Sequence, residues 1–217
     1  MDAVVFDLDG TLIDSFGDLV AAVMREMGTH TSHSRENELK ARFGQPLPQM
    51  LGGMVPTVQL SGFVAAVRSN LHDRYLQGKI TFMPGAIAAL EILSERGYNL
   101  AIASNKPQQQ VDAIVQNSPL KNLIKVAFGL GNPELSPKPS PDLILAVKNC
   151  LPQQNLIFVG DSKEDLMASK SAKVAFVGFM SEGNEDSQMI FREQPGIYSI
   201  SHFSELPGVV ERIKNGQ

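Results

Sequence analysis

The chain has 217 residues, 43% hydrophobic and 19% charged, enough for one large domain or a core carrying a smaller inserted one. A net charge of −4 leaves no basic excess to neutralise a phosphate backbone, which argues against nucleic acid as a partner. A single cysteine, Cys150, excludes an intrachain disulfide, and no apolar run is long enough to span a bilayer, so neither a disulfide scaffold nor a membrane protein is expected.

In chain order, residues 3–8 form a short apolar run of the kind buried on both faces of a parallel sheet. Met1 and Asp2 precede it, without the basic segment and long apolar stretch of a signal peptide, and a cytoplasmic location is expected. The run ends in Asp9-Gly10-Thr11, a turn signal. Residues 16–79 contain no strand pattern. Leu19, Val20, Val23, Met24 and Met27 make one helical stripe there, and Leu60, Phe63, Val64, Val67, Leu71 and Tyr75 make another. From residue 86 onward the pattern alternates. Strands are expected at 99–103, 125–128, 155–159, 173–177 and, weakly, 197–200. Helices are expected at 86–96, 108–116, 142–149, 163–172 and 203–213. Cys150 then reads as a small hydrophobe near a helix end, and the acidic stretch 181–187 as a solvated loop. Strands alternating with helices imply an α/β fold, a Rossmann-like parallel-sheet core. The core comprises residues 1–15 and 80–217, and residues 16–79 form an inserted helical domain. The connections between them are expected at 14–17 and 79–85.

Ligands of an open α/β sheet bind at the carboxyl ends of its strands. The residues placed there are Asp7, Asp9 and Thr11 after the first strand, and Ser104, Asn105 and Lys106 after the second. Lys138 lies in a proline-rich loop after the third, and Asp161, Ser162 and Asp165 follow the fourth. Close carboxylates repel one another unless a cation holds them, and an all-oxygen donor set without His or Cys suits Mg²⁺. A metal ion and a lysine together make a positive pocket for a phosphoryl group. A carboxylate can serve as the nucleophile in such a transfer, and a second carboxyl two residues away can protonate the leaving oxygen and then activate water. His30 and His33, in a polar loop, and the isolated His72 and His202 are not expected to bind metal. Gly129-Leu130-Gly131 completes no dinucleotide fingerprint, and there is no Walker phosphate loop.

These residues fall in four runs: 6–15 (Phe-Asp-Leu-Asp-Gly-Thr-Leu-Ile-Asp-Ser), 103–105 (Ala-Ser-Asn), 138–139 (Lys-Pro) and 159–165 (Val-Gly-Asp-Ser-Lys-Glu-Asp). In that order they resemble the four motifs of the haloacid-dehalogenase superfamily, and the insert resembles the small helical cap of its members that act on small phosphorylated metabolites. The resemblance implies that Asp7 is the nucleophile and Asp9 the general acid/base. It implies that Asp7, the backbone carbonyl of Asp9, and Asp161 hold Mg²⁺, with Asp165 orienting the metal shell. Thr11, Ser104, Asn105 and Lys138 are the candidate phosphate-binding residues. The acid at Asp9 favours phosphate esters over the dehalogenase and phosphonate branches, and the run from Leu100 to Pro107 looks most like phosphoglycolate phosphatases and their pyrophosphatase relatives.

The expected activity is therefore Mg²⁺-dependent hydrolysis of a small phosphorylated metabolite. A phosphomutase of the same fold, an inorganic pyrophosphatase, and a binding protein with a silent site are the alternatives. Within the insert, residues 40–47 break a helix with Gly44 and Pro46, which would place Arg42 and Gln45 over the site. The guanidinium of Arg42 is expected to grip a substrate carboxylate. The family commonly carries glycine where this chain has Lys173, a departure that concerns the turn into the next strand and not the chemistry.

Overall fold

The computed structural model describes residues 2–28, 33–42, 45–151, 155–180, 189–192, 194 and 196–216. The solvated loop expected at 181–187 lies outside them, as do His30, Phe43 and Gly44.

The first strand, β1 (Ala3–Phe6), is wholly buried and ends two residues earlier than its apolar run. Four helices follow: α1 (Phe16–Met27), α2 (His33–Ala41), α3 (Leu47–Met50) and α4 (Thr57–Leu76). His33, expected in a loop, is the first residue of α2. The chain then runs through α5 (Ala86–Glu95), β2 (Asn99–Pro107), α6 (Gln108–Gln116), α7 (Leu120–Leu123), β3 (Ile124–Leu130), α8 (Asp142–Cys150), β4 (Leu156–Gly160), α9 (Lys163–Ala172), β5 (Ala175–Phe179) and β6 (Tyr198–Ile200). The single expected terminal helix is divided into a 3₁₀ turn, Phe203–Glu205, and α10 (Leu206–Lys214). Cys150, the last residue of α8, is exposed rather than packed. Among the described residues no helix is long and apolar enough to cross a membrane.

The six strands make one sheet in the order β3-β2-β1-β4-β5-β6, parallel at every pairing. Alternate residues face opposite sides. Val4, Phe6, Leu100 and Ile102 join one apolar core, which continues into the stripes of α1 and α4. Val5, Ala101, Ala103 and Phe158 join a second core with α8 and α9. Each fully buried large side chain contributes about 1.5–3 kcal/mol through burial, so the sheet is held by both layers, and the helical insert shares the first of them.

The two chain crossings between sheet and insert run side by side. The Asp14 amide donates to the Thr81 carbonyl at 2.8 Å, and the Met83 amide to the Leu12 carbonyl at 2.9 Å. Within the insert, Arg74 on α4 pairs with Asp18 on α1 at 2.5 Å. The start of β5 lies two residues later than expected because Lys173 closes α9. It adopts φ 54°, ψ 49°, and the Val174 amide reaches back to the Ser169 carbonyl at 3.1 Å, the hydrogen bond of a left-handed helix terminus.

Candidate active site

The order of the sheet reverses at β1, which has β2 on one side and β4 on the other. At such a switch point the loops beyond the strand ends diverge and leave a crevice. Phe6 pairs in register with Val159, so Asp7 and Asp161 leave adjacent strands one residue apart in level, and the Asp7 amide still donates to the Val159 carbonyl at 2.9 Å. The first turn of α9 adds Asp165. Ser162 caps that helix, accepting from the Asp165 amide at 3.2 Å, while the Asp165 carboxylate accepts from the Ser162 amide at 3.1 Å and its hydroxyl at 2.6 Å. This reciprocal cap fixes the rotamer of the acid.

Asp7, Asp161 and Asp165 are all buried, and one oxygen from each lies within 4.8 Å of the others. Lys138 Nζ stands between two of them, 2.6 Å from Asp7 Oδ1 and 2.6 Å from Asp165 Oδ1. Thr11 donates its hydroxyl to Asp161 Oδ1 at 2.8 Å. Burial pushes the Asp7 carboxyl up to about 7; Lys138 opposes the rise, and Asp165 and Asp9 add to it. Burial likewise holds Asp161 well above the usual carboxylate value, with Asp165 and Asp7 contributing. For Lys138, burial works against the charge, but Asp165 and Asp7 outweigh it, so the ammonium is held above the ordinary lysine value. Three buried carboxylates beside one lysine leave uncompensated negative charge, and the donor set is all oxygen. Both facts fit Mg²⁺.

Asp9 is outside this trio. Its Oδ1 accepts from Lys106 Nζ at 2.8 Å and from the Ser15 hydroxyl. Lys106 is buried, its Nζ 5.1 Å from the Tyr75 ring centroid. Burial opposes its charge, but Asp9 and Tyr75 outweigh that and hold the ammonium above its usual value. Asp9, Lys106 and Tyr75 border a pocket that opens toward the insert and is also lined by Gln45, Arg68 and Gln110. The site therefore has two compartments: an acidic one around Asp7, and a second one, on the insert side of Asp9, with two cations.

A family description, "Haloacid dehalogenase-like hydrolase", matches residues 4–179. The chain belongs to this family. Among its relatives, a phosphoglycolate phosphatase of Rhodobacter capsulatus is 28% identical over 96% of each chain. One of Pseudomonas putida is 31% identical over 96% of this chain and 79% of its own. A haloacid dehalogenase-like hydrolase of Streptococcus pneumoniae shares the fold with TM-score 0.78 and 22% identity, over 96% of this chain and 97% of that one. This haloacid dehalogenase-like hydrolase is thus an enzyme of the phosphatase type.

In this family member the expected residues converge, and several of their polar groups bond to one another. Asp7, Asp161, Asp165 and Lys138 come together as a buried cluster. Thr11, a candidate phosphate ligand, spends its hydroxyl proton on Asp161. Asn105, another, exchanges two bonds with the backbone of Lys138, donating to its carbonyl at 3.1 Å and accepting from its amide at 2.8 Å. Ser104 accepts from the Lys106 amide at 3.2 Å, which leaves its own proton available to an incoming oxygen.

Arg42 is not in the pocket. Its guanidinium donates to the carbonyls of Met50 and Gly52 at 3.1 and 2.7 Å and pairs with Glu38 at 2.8 Å, so it braces the insert internally. Gln45 does line the pocket. Lys106 stood at a strand end in the sequence without an assigned role. Arg68, Tyr75 and Gln110 carried no functional expectation. For Arg68 a signal existed: it is a charged residue four places after Val64 and three before Leu71, on the apolar stripe of α4.

Proposed function

We propose that this enzyme hydrolyses the phosphomonoester of a small metabolite with Mg²⁺, through an aspartyl-phosphate on Asp7. The observation that carries the reading is the buried trio of Asp7, Asp161 and Asp165, with Lys138 Nζ 2.6 Å from two of its members. Asp7, Asp161 and Asp165, with the backbone carbonyl of Asp9, would hold the metal. Bound there, Mg²⁺ supplies the positive charge that lets a phosphate dianion approach three carboxylates. The Asp7 carboxylate attacks phosphorus, and the bond to the ester oxygen breaks. Asp9 gives that oxygen its proton. Asp9 then takes a proton from water, which attacks the phosphoryl group and restores Asp7. Lys138 and the Ser104 hydroxyl steady the phosphoryl oxygens throughout. Residues 16–79 act as a cap over the core of residues 1–15 and 80–217, excluding bulk water and reading the leaving group. The relatives named as phosphoglycolate phosphatases favour 2-phosphoglycolate as substrate.

Phosphate release from 2-phosphoglycolate tests this. Release should require Mg²⁺, vanish in EDTA, and need no bisphosphate activator, which separates the enzyme from a mutase. Asp7→Asn should lower it by about a thousandfold or more, since an amide cannot form the phosphoenzyme. Activity of the folded variant within about tenfold of wild type would falsify the nucleophile assignment.

A further inference from the structure

The second compartment is small and positively charged. Its cavity volume is about 60 Å³, room for a group on the order of five non-hydrogen atoms. Its two cations are in different situations. Lys106 is committed to Asp9 at 2.8 Å. Arg68 has no acidic partner among the described residues, and its Nε is buried without any acceptor. The other insert arginines of known partner are occupied: Arg42 with Glu38, and Arg74 with Asp18. Desolvation lowers the pKa of Arg68, but a guanidinium stays charged in proteins. A buried donor on a charged fork is costly until an acceptor arrives, and the acceptor that matches the fork is a carboxylate, which can take two parallel bonds.

Arg68 is also held in place. Gln110, itself buried on α6, donates its amide to the Arg68 carbonyl at 2.8 Å. The backbone carrying the guanidinium is thereby tied to the helix that follows β2 and begins two residues beyond Lys106. The insert thus presents Arg68 at a fixed place beside Asp9, the proposed proton donor to the leaving oxygen. The trio of Asp7, Asp161 and Asp165 does not border this cavity, so what enters it is the part of the substrate beyond the ester oxygen.

We infer that Arg68 is the specificity-determining residue of the leaving-group pocket, and that it selects small phosphomonoesters whose leaving group carries a carboxylate. The inference rests on the hydrolase reading above for the direction in which substrate lies. Arg68 grips the carboxylate, Lys106 adds a second positive charge at the Asp9 end, and Gln110 keeps the reading helix in register with the core.

Binding and turnover can be tested separately. In the Asp7→Asn protein with Mg²⁺, calorimetry compares 2-phosphoglycolate with ethyl phosphate. The phosphoryl end is common to both probes, so its contribution cancels. 2-Phosphoglycolate should bind at least about tenfold more tightly, and Arg68→Gln should bring the two within about twofold. In the otherwise native enzyme, Arg68→Gln should raise KM for 2-phosphoglycolate by about tenfold or more, and the ratio of its kcat/KM to that of ethyl phosphate, whose leaving group is uncharged, should fall by about tenfold or more. Arg68→Lys keeps the stem and the charge without the fork and should retain only part of the preference, a check if Arg68→Gln fails to fold. Equal binding of the two probes overturns the inference, and so does a preference that survives both substitutions. A matched loss for both probes assigns Arg68 a merely structural role and also overturns it. If the native enzyme releases no phosphate, the hydrolase reading falls, while the binding comparison still decides whether Arg68 reads a carboxylate.

Discussion

Gly10 lies against Asp161 so closely that a Cβ built on it would stand 2.3 Å from Asp161 Oδ2. Its φ of +79° is also one that side chains disfavour. The turn after β1 can pass the second acidic strand end only without a side chain. Gly10→Ala should displace the Asp161 carboxylate and lower kcat/KM by about a hundredfold, the scale of a misplaced catalytic group. Mg²⁺ titration should show weaker metal binding in a protein whose circular dichroism is unchanged. Full activity in that variant would mean that Asp161 does not need its present position.

The acid cluster predicts a pH-dependent stability. The folded-state pKa of Asp7 is raised from 3.8 to about 7, and Asp161 is raised too. Between pH 4 and about 7 the folded chain holds a proton on Asp7 that the unfolded chain has released, so the Asp7 contribution is complete below about pH 4 and is lost as pH rises through about 7, and Asp161 acts in the same sense. Lys138, raised above its ordinary value, stays charged across that window. The Tm in EDTA should therefore fall from pH 5 to pH 8, and the rise in Tm on adding Mg²⁺ should grow over the same interval, because the metal displaces those protons. Calorimetric scans at several pH values measure both. A flat Tm in EDTA is the contrary result.

Lys173 tests a departure from the family pattern. It is the only non-glycine residue with positive φ among those described. The left-handed conformation costs a side chain about 1–2 kcal/mol, against about 0.5–1 kcal/mol of extra entropy lost by glycine on folding. Lys173→Gly should thus stabilise the fold by about 0.5–1 kcal/mol, a Tm gain of about 1–4 °C at this chain length. Thermal melts of the two proteins decide it, with no change expected in kcat. A lower Tm in the variant would show that the lysine stem makes a contribution larger than the strain.

Arg42 should behave differently from Arg68. Its bonds to Met50, Gly52 and Glu38 are internal to the insert, so Arg42→Ala should cost about 1–3 kcal/mol of stability. The ratio of kcat/KM for 2-phosphoglycolate to that for an aryl phosphate should stay the same. Chemical denaturation and paired kinetics check the two statements. A change in that ratio would return Arg42 to the list of substrate-reading groups.

The sheet, its alternating helices and the four motif runs were legible in the chain because their causes are local. Apolar runs bounded by turn residues mark β1, β2 and β4. Stripes at helical period mark α1 and α4. Boundaries moved where a backbone detail intervened, as at Lys173, whose left-handed conformation delays β5.

Which polar atoms meet was decided by tertiary structure. Lys138 joins Asp7, 131 residues away, to Asp165, 27 residues away, and Thr11 reaches Asp161 across 150 residues. Residue type and order name such groups as candidates, but a hydrogen bond depends on distances of a few tenths of an ångström and on direction, which follow only from how the strands pair and where the loops turn. The same reason separates the two arginines of the insert. A break in a helix pointed to Arg42, yet the packing of α4 on α6 puts Arg68 in the pocket, while Arg42 is bonded to Glu38 and to the carbonyls of Met50 and Gly52. Local pattern determined what each helix is; only the contact between helices determined which of its charges faces the chemistry.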